Sequence, residues 1–428
     1  MTPPTGRDRP DGAGPPEPAD GTAQTRERTT LTDTADTTDT AGATAGPAEP
    51  TEVTAGPAEP AGGAAGPVEP ADVTTQAADV AAEAAGAALS TRGRVLVLLA
   101  AVLVLTCVAG AAVWHAADRA GRRDQVQAGG PAVRPGTVSL AAAGPPRVVF
   151  RSMAWGPHRD ELTSVPAADP AGPRTASGVK CLRFYAAGGT GICLQAVRGA
   201  LTDSYRAVVL DARLRPTRSV SLAGIPTRAR VSPSGRMVAW TVFVGGDSYA
   251  GTNFSTRTSI LDTRTGALQP TLESYAVTRD GRRVRAADVN FWGVTFADDE
   301  HFYATLATGG HTYLIHGDVR TRTAVTLRTN VECPSLSPDG TRIAFKKRVA
   351  GRSPDAPWQL YVLDLATMRE HPVAETRNVD DQAVWSDDDT LVYAMPGDYG
   401  ADLYTVPADG TGAPRLLTAS ALAPAWLG

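Results

Sequence analysis

Aromatic residues make up 6% of this 428-residue chain, and none occurs before Trp114. Residues 1–92 are instead Pro, Ala, Thr, Gly and acids, with Gly-Pro-Ala-Glu-Pro at 46–50 and 56–60 and Gly-Pro-Val-Glu-Pro at 66–70. So few large apolar side chains cannot offset the entropy of ordering a backbone. That excludes a packed domain there and predicts a disordered acidic tail. Lysine is nearly absent, and arginine carries most of the positive charge. Residues 1–91 hold 15 acidic and 4 basic side chains, whereas the whole chain is at −4. The part after 147 is close to neutral, so it offers no electrostatic footprint for nucleic acid.

Cysteine is also scarce. Cys107, Cys181, Cys193 and Cys333 form no CxxC pair and no metal-ligand spacing, which argues against a zinc site. Cys181 and Cys193 bracket a hairpin whose turn, with the two paired directly, centres on Ala187 and leaves a three-residue loop with Gly188 in the left-handed position. A cross-strand disulfide is open to them; two buried free thiols are the alternative. A disulfide would imply an oxidising compartment.

Charge is missing from Val95 to Trp114, twenty residues that as one helix would span a bilayer core. The long segment before it argues against a cleaved signal peptide. Residues 115–146 are polar and rich in Gly, Pro and Ala, which predicts a flexible linker. Arg92 and Arg94 precede the span, and Arg119, Arg122, Arg123 and Arg134 follow it. Counted literally, these place the C-terminus in the cytoplasm. A disulfide and the resemblance given below weigh the other way. The expectation is a single-pass protein of the cell membrane, with its tail inside and its folded part outside.

What residues 147–428 do have is a repeated turn. Ser337-Pro338-Asp339-Gly340 lies between two apolar runs, with Pro presetting φ, Gly supplying positive φ and Asp able to bond its own backbone. It recurs at Ser232-Pro233-Ser234-Gly235, Asp298-Asp299-Glu300 and Ser386-Asp387-Asp388-Asp389, and more weakly at Gly188-Gly189. Each copy is followed by a strand ending in Asp or Pro, as at Asp211, Asp262, Asp318, Asp364 and Pro407. A period of about 40 to 56 residues with four strands per unit is the signature of a β-propeller. Six units are expected, beginning near 147, 179, 227, 289, 332 and 381, with an insertion around 272–288. The ending Leu422-Ala423-Pro424-Ala425-Trp426 matches the strand that opens the sixth unit. It is expected to supply the missing strand of the first blade and close the ring.

Leu336-Ser337-Pro338-Asp339-Gly340, Leu360-Tyr361-Val362-Leu363-Asp364-Leu365 and Arg415-Leu416-Leu417-Thr418 resemble the hairpin, third strand and fourth strand of the TolB-like six-bladed propellers. The resemblance covers 147–428 and implies an all-β fold. The small α/β domain that precedes the propeller in TolB has no counterpart here, and the apolar segment stands in its place. These motifs specify a fold rather than a ligand.

In a propeller, the loops between second and third strands share a face with the links between blades. Here those loops are read as long, at 153–159, 198–204, 244–257, 306–311, 347–357 and 395–401. Elaborated loops on a rigid scaffold are the default binding surface. The candidates on this face are Asp247, Tyr249, Asn253, Asp398 and Tyr399 in the loops. Asp288, Asn290, Asn330, Glu332, Asp380 and Asp381 join them from the links. Sharper motifs fail. Asp387-Asp388-Asp389 and Asp298-Asp299-Glu300 could hold calcium, but hairpin chemistry explains them. Gly246-Asp247-Ser248-Tyr249-Ala250 lacks the last glycine of a nucleophile elbow. His311 and His316 face opposite sides of one strand, and His158 and His301 stand alone. No phosphate loop appears. The expectation is a non-catalytic binding module for a protein, peptide or cell-wall ligand, without cofactor or metal. The alternatives are a lyase- or lactonase-like enzyme using Asp288, Asp380 and Asp381 with a metal, and a sensor whose tail relays occupancy.

Overall fold

The computed structural model describes residues 90–199, 202–244 and 255–428. The acidic tail, Asp247, Tyr249 and Asn253 lie outside them. Thr91–Asp124 is one 34-residue helix, started by the Ser90 hydroxyl accepting from the Gly93 amide. It is long and apolar enough to cross a membrane and buries none of its residues.

The rest is six sheets in chain order, each built on four antiparallel strands. Each runs from an inner to an outer strand. Blade two is typical, with strands Arg183–Ala187, Thr190–Val197, Ser204–Leu210 and Pro216–Leu222. The inner strands of the other blades begin at Ile225, Asn290, Glu332 and Val384, and they follow one another around a closed circle. Ala421–Leu427 pairs antiparallel with Arg147–Ser152, so the C-terminal strand is the inner strand of blade one. The ring is a six-bladed propeller, closed as the repeat implied.

Strand alternation explains how the ring is held. Each buried strand sends successive side chains to opposite neighbours. Ile260 joins the core between blades three and four, and Leu261 the core between two and three. Val148 packs towards blade six and Val149 towards blade two. The six hydrophobic clusters correspond to the six spaces between blades. This is why the strands read as near-continuous apolar runs.

The repeated turn has a second job. The Gly340 amide bonds the Ser337 carbonyl, and Asp339 takes the Thr341 amide at 3.0 Å, closing the hairpin. Asp388 of blade six then accepts from the Asp339 amide of blade five at 2.9 Å. Asp299 accepts from Ser232 and Ser234 of blade three. These turns therefore knit neighbouring blades together on the face away from the blade links.

Three expectations are corrected. Residues 115–146 are not a free linker: the helix runs to Asp124, and the chain engages the propeller from there. The Gly156 amide bonds the Arg123 carbonyl at 2.8 Å, and the Gln127 amide bonds the Trp155 carbonyl. Val133–Pro135 adds a parallel fifth strand to blade one, and Val138 and Leu140 are buried between blades one and two. The Cys181–Cys193 disulfide forms, with Cα atoms 5.4 Å apart, but not across a three-residue loop. Cys193 faces Phe184, and the turn is the two-residue Gly188-Gly189, both with positive φ. Finally, two of the long loops are tight. Thr308 pairs with His311 and Gly397 with Gly400, leaving two-residue turns.

Candidate functional site

The inner ends of the blades converge on a small cavity of about 30 Å³, lined by Arg183, Thr227, Arg228, Arg230, Asp381 and Gln382 among others. That is room for a water-sized species. Arg228 and Arg230 alternate on the inner strand Ile225–Val231, so both project from one side of it. Arg183 opens the inner strand of blade two, and Asp381 lies in the link that enters blade six.

Asp381 organises the group. Arg183 Nη1 donates to its Oδ2 at 2.8 Å, and Arg228 Nη1 lies 3.6 Å from its Oδ1. Burial works to raise this carboxyl, but the two guanidinium groups outweigh it and hold the pKa at about 2. Arg230 stacks over the Tyr185 ring at 4.5 Å and donates to the Ala383 carbonyl at 2.7 Å. Buried Lys346 donates to Asp380 at 2.7 Å. Gln382 Nε2 donates to the carbonyls of Gly293, Val294 and Pro334, tying blades four and five to the blade-six link. Three guanidinium groups thus face one carboxylate, and the cavity is positive. Arg228 Nε and Gln382 Oε1 are buried without a hydrogen-bond partner. Cys333 is buried in the left-handed conformation at φ 50°, its amide bonded to Thr305 Oγ1.

Of the sequence candidates, Asp381 lines this cavity; Asp380 stands beside it in the link with its side chain exposed, accepting from Lys346 Nζ and, at its carbonyl, from Arg228 Nη2. The others serve the scaffold. Asp288 caps the tight turn of blade four through Thr308 Oγ1 and the Gly309 amide, which lower its pKa in that order. Asn290 accepts from the Thr256 amide at 2.8 Å, clasping blade three. Asn330 exchanges two hydrogen bonds with the Arg348 backbone, and buried Glu332 accepts from Arg348 Nε. Asp398 is exposed in its turn, and Tyr399 packs edge-on against Trp155 with ring centroids 5.2 Å apart. Reading acids alone missed Arg183, Arg228, Arg230, Lys346 and Gln382. The signal was present as Arg-Ala-Arg at 228–230, arginines two apart in a strand with no other charge. His301 is not alone either: its ring stacks on His316 at 5.5 Å and its Nδ1 meets Asp298. Among the described residues, no three His, Cys, Asp or Glu side chains converge as a metal site would require.

No family model and no curated protein matches the chain. Solved structures similar to it include TolB from Acinetobacter baumannii, at 16% identity over 67% of each chain with a TM-score of 0.41. A Mycobacterium tuberculosis puromycin-hydrolyzing peptidase is 16% identical, covering 65% of this chain and 44% of that one, with a TM-score of 0.42. An oligogalacturonate lyase in complex with manganese is 11% identical over 58% of this chain and 72% of that one, at 0.38. The chain thus spans less than half of the peptidase's length. These likenesses concern fold, and the six-bladed ring itself rests on the sheet order described above.

Proposed function

We propose that the chain is a single-pass membrane protein whose extracytoplasmic propeller is a non-catalytic binding module. Its ligand is a protein, peptide or cell-envelope component taken up at the channel mouth. The observation that carries this reading is the clamping of Asp381 between Arg183 and Arg228. A carboxylate held at about 2 neither gives nor takes a proton near neutrality. Groups arranged this way recognise charge rather than transfer protons. The disulfide supports an oxidising compartment for the propeller.

The test is affinity capture from solubilised envelopes with the full-length chain in detergent, alongside Arg228→Glu. The expected outcome is a partner or envelope glycan retained by the wild type and lost by the variant. Recovery of neither, together with turnover of a defined substrate and a stoichiometric divalent ion, would replace this reading with the enzyme. Protease accessibility of the propeller in intact cells tests its location.

A further inference from the structure

The insertion around 272–288 is not needed to close the ring. It forms Ala276–Arg279 and Arg282–Arg283, a hairpin added outside the outer strand of blade four, so that this sheet has six strands. Asp280 and Gly281 turn it, both with positive φ, as a tight two-residue hairpin requires. The hairpin carries Arg279, Arg282, Arg283 and Arg285 with one acid, Asp280. Arg282, Arg283 and Arg285 are exposed, and none has an ion-pair partner among the described residues. Arg279 and Arg282 stand directly opposite each other across the two strands. Like charges in that register destabilise a hairpin.

Arg279, itself exposed, reaches over to Tyr313 instead of relieving this repulsion with an acid. Its Nη1 donates to the Tyr313 hydroxyl at 2.9 Å, at the edge of a groove of about 540 Å³ between blades four and five. Arg328, Lys347 and Glu370 line the same groove. Glu370 is occupied by both cations, accepting from Arg328 Nε at 2.8 Å and from Lys347 Nζ. The hairpin and groove meet at Arg279, and together they set six cations against two acids, Asp280 and Glu370, in a cationic strip on an outer rim.

We propose that this strip binds a linear polyanion, a polymer with repeating phosphate or carboxylate groups, independently of the channel mouth. Arginine suits this chemistry because its planar fork meets phosphate and carboxylate in pairs of hydrogen bonds. A charged outer strand also protects a sheet edge from pairing with other chains. Edge protection, however, is indifferent to the sign of the charge and does not account for the repulsive Arg279–Arg282 register. The two roles therefore separate experimentally.

The full-length chain in zwitterionic nanodiscs is titrated against fluorescein-labelled polyphosphate and polygalacturonate. Vesicles of zwitterionic or anionic lipid form a third arm. Binding of at least one polymer is expected, weakening steeply with salt. Arg282→Glu/Arg283→Glu/Arg285→Glu keeps the edge charged and should weaken binding at least tenfold. It should also flatten the log–log salt slope by about 2, at ~0.7 per lost contact for a flexible chain. The corresponding triple lysine variant should retain binding within about threefold. Arg282→Gln should raise the melting temperature while weakening binding, as expected of a repulsion kept for a ligand. Preference for one polymer identifies the anion. Unchanged binding by the glutamate variant at an unchanged melting temperature, failure of both polymers to bind, or binding to anionic vesicles alone would each overturn the proposal.

Discussion

Replacing Asp381 with Asn leaves Arg183, Arg228 and Arg230 around one small cavity with no carboxylate among them. The Asp381 side chain is 18% exposed and its partners 26% and 16%, so screening by water is limited. Its pKa falls from an ordinary 3.8 to about 2 on folding, which corresponds to stabilisation on the order of 2 kcal/mol. Removing one member of a fully buried pair costs about 3–5 kcal/mol, and partial exposure places this one nearer 2–3. The folded pKa lies below the unfolded value. The contribution is therefore complete above about pH 4 and is lost as pH falls towards 2. Denaturant unfolding of the full-length protein in detergent, followed by tryptophan fluorescence at pH 7, 4 and 2.5, measures it. The variant should be about 2–3 kcal/mol less stable at pH 7, with the deficit cut to about a third at pH 2.5. Other acids also titrate in this range, notably Asp262, held at about 2 against the opposing effect of its own burial by Arg236 and two turn amides. Only the difference between the two proteins isolates Asp381. A deficit that does not change with pH, or a variant as stable as the wild type, would refute the clamp.

Four further outcomes are expected. Denatured, unreduced chain should take up two maleimides, at Cys107 and Cys333, and four after reduction. Cys181→Ala/Cys193→Ala should cost about 3 kcal/mol for the 12-residue separation, read from the unfolding midpoint. Gly188→Ala should destabilise more than Gly340→Ala. Both have positive φ, but a Cβ at 188 would lie 2.3 Å from the Ser234 backbone, whereas at 340 it meets open space. The second change should cost only the left-handed backbone penalty of about 1–2 kcal/mol. Arg174, buried and held near 10 by that burial, donates to Ser420, Ala419 and Thr418 beside the closing strand. Arg174→Met should cost about 2 kcal/mol and selectively speed amide exchange in 147–152 and 421–427.

The ring was legible because its turns and strand endings are local chemistry repeated at a fixed period. The match between Ala425-Trp426 and Val384-Trp385 was enough to place the closing strand. Loop lengths were less legible, since a ladder continues until backbone pairing stops and the sequence does not mark that point. Gly309-Gly310 is a two-residue turn where a longer loop was expected. The strap after the helix was misread from its Gly, Pro and Ala content. Val138 and Leu140, two apart, carry the strand-like period that its composition obscured, and both are buried. At the channel, the link acids were found and their partners were not. A charge inside a repeat strand looks like a blemish in the pattern until the fold shows that this strand is innermost.

The strap changes what the channel mouth can meet. Ten residues, 115–124, five of them Arg or Asp, continue the helix about 15 Å beyond its apolar stretch. The chain is then bonded at once to Trp155 and Gly156, in the loop between the second and third strands of blade one. That loop opens on the face that carries the blade links and Asp381. Because the helix buries no residue, it stands away from the propeller rather than lying along it. On the reading that the helix spans the bilayer, the mouth looks back towards the membrane across a gap of about 15 Å, nearly two Debye lengths at physiological salt. A ligand of the mouth must enter that gap from the side or rise from the membrane itself. The cationic hairpin of blade four lies three blades around the ring from this attachment. It sits on the rim, beside Val325 of the outer strand, and its turn points towards the face of the blade links, where Asn330 lines the groove next to Arg279 and Asp280. A long polymer could not thread easily beneath the propeller but can lie along its rim. The two surfaces are therefore suited to ligands of different size.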